Sequence, residues 1–360
     1  MRIATIVGNR PQFVKAAAVS KRLRERHEEL LIHTGQHYDD ELSRVFFEEL
    51  GVPAPDRELG VGSGPPAEQT ARMLAALEPE LAAWRPDFAL VYGDTNSTLA
   101  GALATAQSHV PLAHVEAGMR SGDWAMPEEL NRVLTDHASD LLLCSTPTAV
   151  ANLEREAVHG RIELVGDVMA DVSLAFASVA QERSRALEQH GVEPGAYLLV
   201  TVHRPGNVDD PRRLELLVEL LEALPDTTVF PLHPRTRARL EAASLLARLE
   251  AARHLRLSPP LGYLDFLTLA RGARAILTDS GGVQKEAYFA RRPCVTLRDR
   301  TEWTETTSTG WNVLTGTDPQ RIAEAMRMFR PDGPSPEVFG DGHAAERVVE
   351  LLEASASRSQ

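Results

Sequence analysis

Arg2-Ile3-Ala4-Thr5-Ile6-Val7-Gly8-Asn9-Arg10-Pro11 is a βα unit in miniature. Six β-rich, largely apolar residues run into a glycine turn, and Pro11 stands just inside the helix that follows. No basic leader or small-residue cleavage site precedes it, so the segment reads as a first strand rather than a signal peptide. A cytoplasmic protein is expected.

The same alternation continues outward. Candidate strands fall at 2–7, 30–33, 88–91, 112–115, 141–144 and 162–165, and again at 197–202, 228–232, 255–257, 275–278 and 294–297, with helical-period segments between them. That pattern predicts α/β architecture with parallel sheets. The set resets near residue 170, and 360 residues suit two domains. We expect one domain over 1–169, a second over 170–336, and a terminal segment, 337–360, whose helix returns to the first domain.

Composition narrows the function. The chain is 43% hydrophobic and 25% charged, with no apolar run of the roughly 18 residues a membrane span requires. A net charge of −13 argues against nucleic-acid binding, which needs clustered cations. Cys144 and Cys294 lie far apart, without metal-ligand spacing, so neither a disulfide nor a zinc site is expected. Lysine is rare: Lys15, Lys21 and Lys285 are the only three, which singles out Lys15 and Lys285 where a compact ammonium is needed.

Open parallel sheets bind ligands beyond the carboxyl ends of their strands. There the chain places Gly8-Asn9-Arg10 with Lys15, then His33 to Asp39 with His37, then Gly93-Asp94-Thr95 and His114-Val115-Glu116. The second half adds His203-Arg204, His233 and Thr278-Asp279-Ser280-Gly281-Gly282. Each loop has a plainer reading: Arg10 and Lys15 as surface cations, His37 as a satisfied polar residue, Asp94 as a helix N-cap. Glu116 is harder to explain away, because a carboxylate ending an apolar strand is costly to bury without a purpose. Ser280-Gly281-Gly282 can present backbone N–H groups to a diphosphate, and Glu286, four residues after Gly282, lies one turn along and could take ribose hydroxyls.

The ordered set GNRPQFVK, HTGQHYD, YGDTNST, HVEAGMRSGD with MPEELNR, TVHR, LTDSGGVQKEA and LRDRTEW resembles the non-hydrolysing UDP-N-acetylglucosamine 2-epimerases, from residue 2 to about 315. The resemblance implies a GT-B-like pair of Rossmann-like domains with an interdomain cleft for a UDP-sugar, a homodimer, and no cofactor or metal. It implies Asp94, Glu116, Glu128 and His203 as catalytic residues. Arg10, Lys15, His37, Arg204, Phe266, Ser280, Gly281, Gly282 and Glu286 are implied as substrate contacts, with Phe266 against the uracil.

Three positions depart from the family pattern. Gln12 stands where an acid is common, Trp303 where Thr-Glu-Arg is common, and Pro205-Gly206-Asn207 replaces the usual x-Glu-Asn. Gln12 with Phe13, Gly166-Asp167-Val168-Met169, the Lys285 helix start and Trp303 together look more like the branch that acts on UDP-2,3-diacetamido-2,3-dideoxyglucuronate. A GT-B glycosyltransferase, which would need an acceptor, is the competing reading from another class.

Overall fold

The structure, a computed structural model, describes residues 1–36, 53–331 and 333–357. The chain forms two compact units, one of residues 1–174 with 337–360 and one of residues 175–336.

The first unit holds seven parallel strands: β1 (Arg2–Val7), β2 (Glu28–His33), β3 (Arg57–Glu58), β4 (Phe88–Tyr92), β5 (Leu112–Ala117), β6 (Leu141–Cys144) and β7 (Arg161–Leu164). They lie in the order β3-β2-β1-β4-β5-β6-β7. β4 and β5 are buried along their whole length, as a sheet covered on both faces requires. The order reverses between β1 and β4, which pair from Ile3 with Phe88 to Ile6 with Val91.

The second unit holds β8 (Tyr197–Thr201), β9 (Thr227–Pro231), β10 (Leu255–Ser258), β11 (Ala275–Thr278), β12 (Cys294–Thr296) and β13 (Asn312–Leu314), in the order β10-β9-β8-β11-β12-β13. Alternate residues feed its two cores. Leu198, Val200 and Leu277 join Phe230 and Val295 on one face, while Tyr197, Leu199 and Ile276 join Val229 and Cys294 on the other. Full burial of each such side chain contributes about 1.5–3 kcal/mol. Here the order reverses between β8 and β11.

The helix Ala344–Ala356 belongs to the first unit and packs on the helix Arg10–Leu23. Asp171 accepts from its first two amides, Ala344 N at 3.1 Å and Ala345 N at 2.7 Å, and Arg347 donates to the Val165 carbonyl at 3.1 Å. Val348 and Leu352 on this helix are fully buried. Among the described residues, no helix is long and apolar enough to cross a membrane.

Candidate functional site

Each sheet gathers its reactive side chains where its strand order reverses, the place at which loops on either side diverge and leave room for a ligand.

In the first unit the loops after β1, β4 and β5 meet. Asn9 caps the helix Arg10–Leu23 by accepting from Gln12 N. Gln12, 1% exposed, binds three ways: Oε1 accepts from Gly8 N at 2.7 Å, and Nε2 donates to the Tyr92 carbonyl at 2.6 Å and to Thr98 Oγ1 at 2.7 Å. Gln12 is therefore a brace between the β1 loop and β4. A carboxylate there would meet the Tyr92 carbonyl with no proton to offer.

One turn further, Lys15 pairs with Glu116. Glu116 is 5% exposed and has φ of 72° at a bulge between β5 and β6. A glutamate held in the left-handed region costs roughly 1–3 kcal/mol, a strain that concentrates at functional sites. Gly93 permits the pair, since a Cβ there would stand 3.1 Å from Lys15 Nζ and 3.3 Å from Glu116 Oε2, on a backbone with φ of 63°.

Asp94 follows Gly93 and is not the N-cap of the next helix. Thr95 takes that role in a reciprocal capping box with Thr98. Asp94 is thus left to Arg132, which donates to Oδ2 through Nε at 3.0 Å and Nη2 at 2.6 Å, while Asn131 Nδ2 holds the Asp94 carbonyl at 3.0 Å.

Both Asn131 and Arg132 come from the helix Pro127–Ala138, which also carries Glu128 and Glu129 in its first turn. Glu129 is buried and takes Ser121 N, Ser121 Oγ, Gly122 N and Arg132 Nη1 at 2.7–2.9 Å. Burial pushes its carboxyl up, but those donors prevail and hold it below the ordinary 4.5. Glu128 is half-buried, and among the described residues no hydrogen bond or ion pair joins it to Asp94 or Glu116. The side chain of Arg10 and all of His37 lie outside the described residues.

In the second unit Asp279, fully buried after β11, organises the loop after β8. It accepts from His203 N at 3.1 Å, Arg204 N at 2.9 Å and Asn207 Nδ2 at 3.0 Å. Asn207 also donates to the Leu297 carbonyl at 3.2 Å. His203 stacks on His233, ring centroids 5.0 Å apart. Burial lowers its imidazole below 6.5, opposed by Asp279 and reinforced by Arg204 and Arg235, so the ring is neutral at neutral pH.

Ser280 is the N-cap of the helix Gly281–Phe289, makes no side-chain cap bond, and is followed by no acidic residue in the first turn. The amides of Gly281 and Gly282 therefore suit an anion. A Cβ on Gly281 would strike the Glu302 carboxylate, which would have to move to make room. Glu286 lies half-buried on the same helix. Phe266 is partly buried against the core that includes Leu269 and Ala270.

Lys285 and Trp303 turn out to be partners. The ammonium lies 3.9 Å from the indole centroid, and both residues are buried. Glu302 beside them accepts from Arg298 at 2.8 Å.

Sequence reasoning did not single out Arg132, Asp279 or Asn207, although each lies inside a quoted motif. Only the three-residue spacing from Glu129 to Arg132 carried a local signal of pairing.

A family model described as UDP-N-acetylglucosamine 2-epimerase matches residues 21–353. The chain is 47% identical over 354 residues to a UDP-N-acetylglucosamine 2-epimerase homolog of Methanococcus maripaludis, spanning 98% of this chain and 99% of the relative. It is 44% identical over 365 residues to the UDP-2,3-diacetamido-2,3-dideoxy-D-glucuronate 2-epimerase of Pseudomonas aeruginosa, with the same coverage. The crystal structure of Methanocaldococcus jannaschii UDP-GlcNAc 2-epimerase in complex with UDP-GlcNAc and UDP superposes with a TM-score of 0.92 at 39% identity, covering 98% of this chain and 100% of that one.

Proposed function

We propose, from the premise that this chain belongs to the UDP-N-acetylglucosamine 2-epimerase family, that it interconverts UDP-N-acetylglucosamine and UDP-N-acetylmannosamine. The observation that carries the reading is the pair of carboxylates, Asp94 and Glu116, set at the ends of the neighbouring strands β4 and β5, each with its own cation.

The chemistry explains why two are wanted. The C2 proton of the sugar is not beside a carbonyl, so removing it alone would leave an unstabilised carbanion. If the C1–O bond to UDP breaks as C2 loses its proton, the C–H electrons form the C1–C2 double bond of a 2-acetamidoglycal and the C–O electrons leave with UDP. Re-addition of the UDP oxygen at C1, with a proton delivered to the other face of C2, gives the epimer.

This route asks for a carboxylate base, an acid on the opposite face and donors for the departing diphosphate. Asp94 and Glu116 serve proton transfer, with Glu128 as a third carboxylate. Lys15 holds the Glu116 carboxylate in place. Arg10, Arg204, His203 and the amides at Gly281 and Gly282 take the diphosphate, Glu286 the ribose and Phe266 the uracil. Removing one leaving-group donor is expected to cost about 100-fold or more in turnover.

The enzyme is read as a cytoplasmic homodimer. Trp124, Leu130 and Leu134, 66%, 45% and 41% exposed on and just before the helix Pro127–Ala138, support a self-association that sedimentation will test.

A second substrate, UDP-2,3-diacetamido-2,3-dideoxyglucuronate, is favoured by the Pseudomonas relative at 44% identity. Gln12 does not bear on that choice, because its amide is spent on backbone and Thr98. Proton NMR with UDP-N-acetylglucosamine in deuterium oxide separates the two. Loss of the C2 proton with growth of the manno anomeric signal supports the first reading; no exchange by folded protein that binds UDP moves the assignment to the diacetamido uronate.

A further inference from the structure

Behind the two carboxylates lies a fully buried ring with an unusual pair of neighbours. His114, on β5 two residues before Glu116, directs Nδ1 at Asp136 Oδ1, 2.7 Å away, and Nε2 at the Gly93 carbonyl, also 2.7 Å away. A carbonyl can only accept, so Nε2 must carry a proton. Nδ1 could stay bare only if Asp136 were protonated on that oxygen. Asp136 is instead held as a carboxylate, its other oxygen accepting from Arg120 Nη1 at 2.7 Å and Gly118 N at 3.1 Å.

We propose that His114 is a doubly protonated imidazolium in the working protein, and that it is a positioning residue: by gripping the Gly93 carbonyl it fixes the peptide from which Asp94 and the Lys15–Glu116 pair take their spacing. This rests on the proposed 2-epimerase reading.

The charges around the ring fit that state. Asp136 comes from the helix Pro127–Ala138, and Arg120, from the loop after β5, is itself neutralised by a two-point contact with Glu156 at 2.7 Å. Cys144 on β6 is pushed far up by burial and by Asp136, so it adds no charge. One imidazolium and one guanidinium thus balance two carboxylates, with His114 and Asp136 themselves fully buried, which leaves the Gly93 bond charge-assisted and short. The grip matters because Gly93 has φ of 63° and lies within 3.3 Å of both members of the ion pair at its Cβ position. Rotation of this peptide would move Asp94 and press on Glu116 together.

Neutron diffraction of the wild-type protein reads the ring directly. Deuterons on both Nδ1 and Nε2 are expected, and one bare ring nitrogen overturns the charged state. For positioning, the double variant His114→Gln with Asp136→Asn replaces the ion pair by two amides that satisfy each other. It is expected to bind UDP and keep KM within about 3-fold, while kcat for C2 exchange falls about 100-fold, the scale of an ångström's misplacement of reacting groups. If that variant does not fold, Asp136→Asn alone, which leaves the ring in place but unpaired in charge, is expected to lower kcat about 10-fold at unchanged KM. Unchanged kcat in a folded variant overturns the positioning role. Wild-type protein that shows no C2 exchange with either UDP-sugar sinks the 2-epimerase reading and the positioning role with it, while the neutron map still decides the charge.

Discussion

The Arg132 guanidinium closes on a single oxygen of Asp94 through two donors, Nε at 3.0 Å and Nη2 at 2.6 Å, while its remaining nitrogen reaches Glu129 at 2.7 Å. One buried side chain therefore sets the orientation of Asp94 and anchors it to the helix Pro127–Ala138. Lysine offers a point charge and cannot hold both acids in that fork. Arg132→Lys is expected to fold, bind UDP, and lose up to about 100-fold in kcat through misplacement of Asp94. Wild-type turnover in this variant, measured by C2 exchange, would free Asp94 from any dependence on the fork.

Glu116 is read as a proton-transfer group, and glutamine keeps its size without its basicity. Glu116→Gln is expected to retain UDP affinity and to lose about 100- to 10,000-fold in turnover. Isothermal titration with UDP beside the exchange assay separates the two effects. Near-normal turnover removes Glu116 from the catalytic set.

Glu129 gives an acid-side prediction for stability. Its folded carboxyl is lowered below the ordinary 4.5, so its contribution is fully present above about that pH and is lost as pH falls through the folded value. Glu129→Gln is expected to be less stable by about 1.5–3 kcal/mol at pH 7, the range for hydrogen bonds to a charged group. The gap to wild type should narrow below about pH 4, as the native carboxylate protonates. Urea unfolding across that range checks the sign; a gap that widens in acid contradicts it.

His203 starts neutral because burial and the nearby guanidinium groups of Arg204 and Arg235 disfavour its cation. A diphosphate beside it would reverse that balance. UDP-sugar binding at pH 7 is expected to take up part of a proton, and affinity is expected to rise several-fold from about pH 8 to about pH 6. Calorimetry in buffers of different ionisation enthalpy measures the uptake. His203→Gln should abolish it, and uptake that persists in that variant would place the proton elsewhere.

Eleven of the strands could be read from apolar runs, most clearly the central ones such as β4, β5, β6 and β11, which are buried along their whole length. The two that escaped reading, β3 and β13, are short edge strands: β3 is Arg57–Glu58, both exposed, and β13 is Asn312–Leu314. Neither carries enough hydrophobic pattern to stand out, and each exists because a neighbour offers it a ladder. The site divides in a similar way. Strand ends and glycine turns pointed to Asp94, Glu116 and the Ser280 loop, since local sequence marks them.

Their partners were not legible. That Arg132 rather than another arginine meets Asp94, or that Asp279 gathers the loop of His203, depends on which strands adjoin, and many other arginines and carboxylates were available. The Asp94 N-cap reading failed for a local reason, since Thr95 with Thr98 forms the stronger reciprocal cap. Lys15 and Lys285 stood out by rarity, and each proved to occupy a tight place, one against the Glu116 carboxylate beside Gly93 and the other on the Trp303 face.

The return of the helix Ala344–Ala356 to the first unit sets the order of synthesis against the order of completion. The sheet that bears Asp94 and Glu116 leaves the ribosome before the second unit. The apolar side of the helix Arg10–Leu23 and the Asp171 carboxylate then wait for their partners until the whole of the second unit has been translated, on the order of ten seconds or more at ordinary rates. The first unit is begun before the second and completed after it, and during that interval the nascent protein exposes a seam that the helix Ala344–Ala356 later covers.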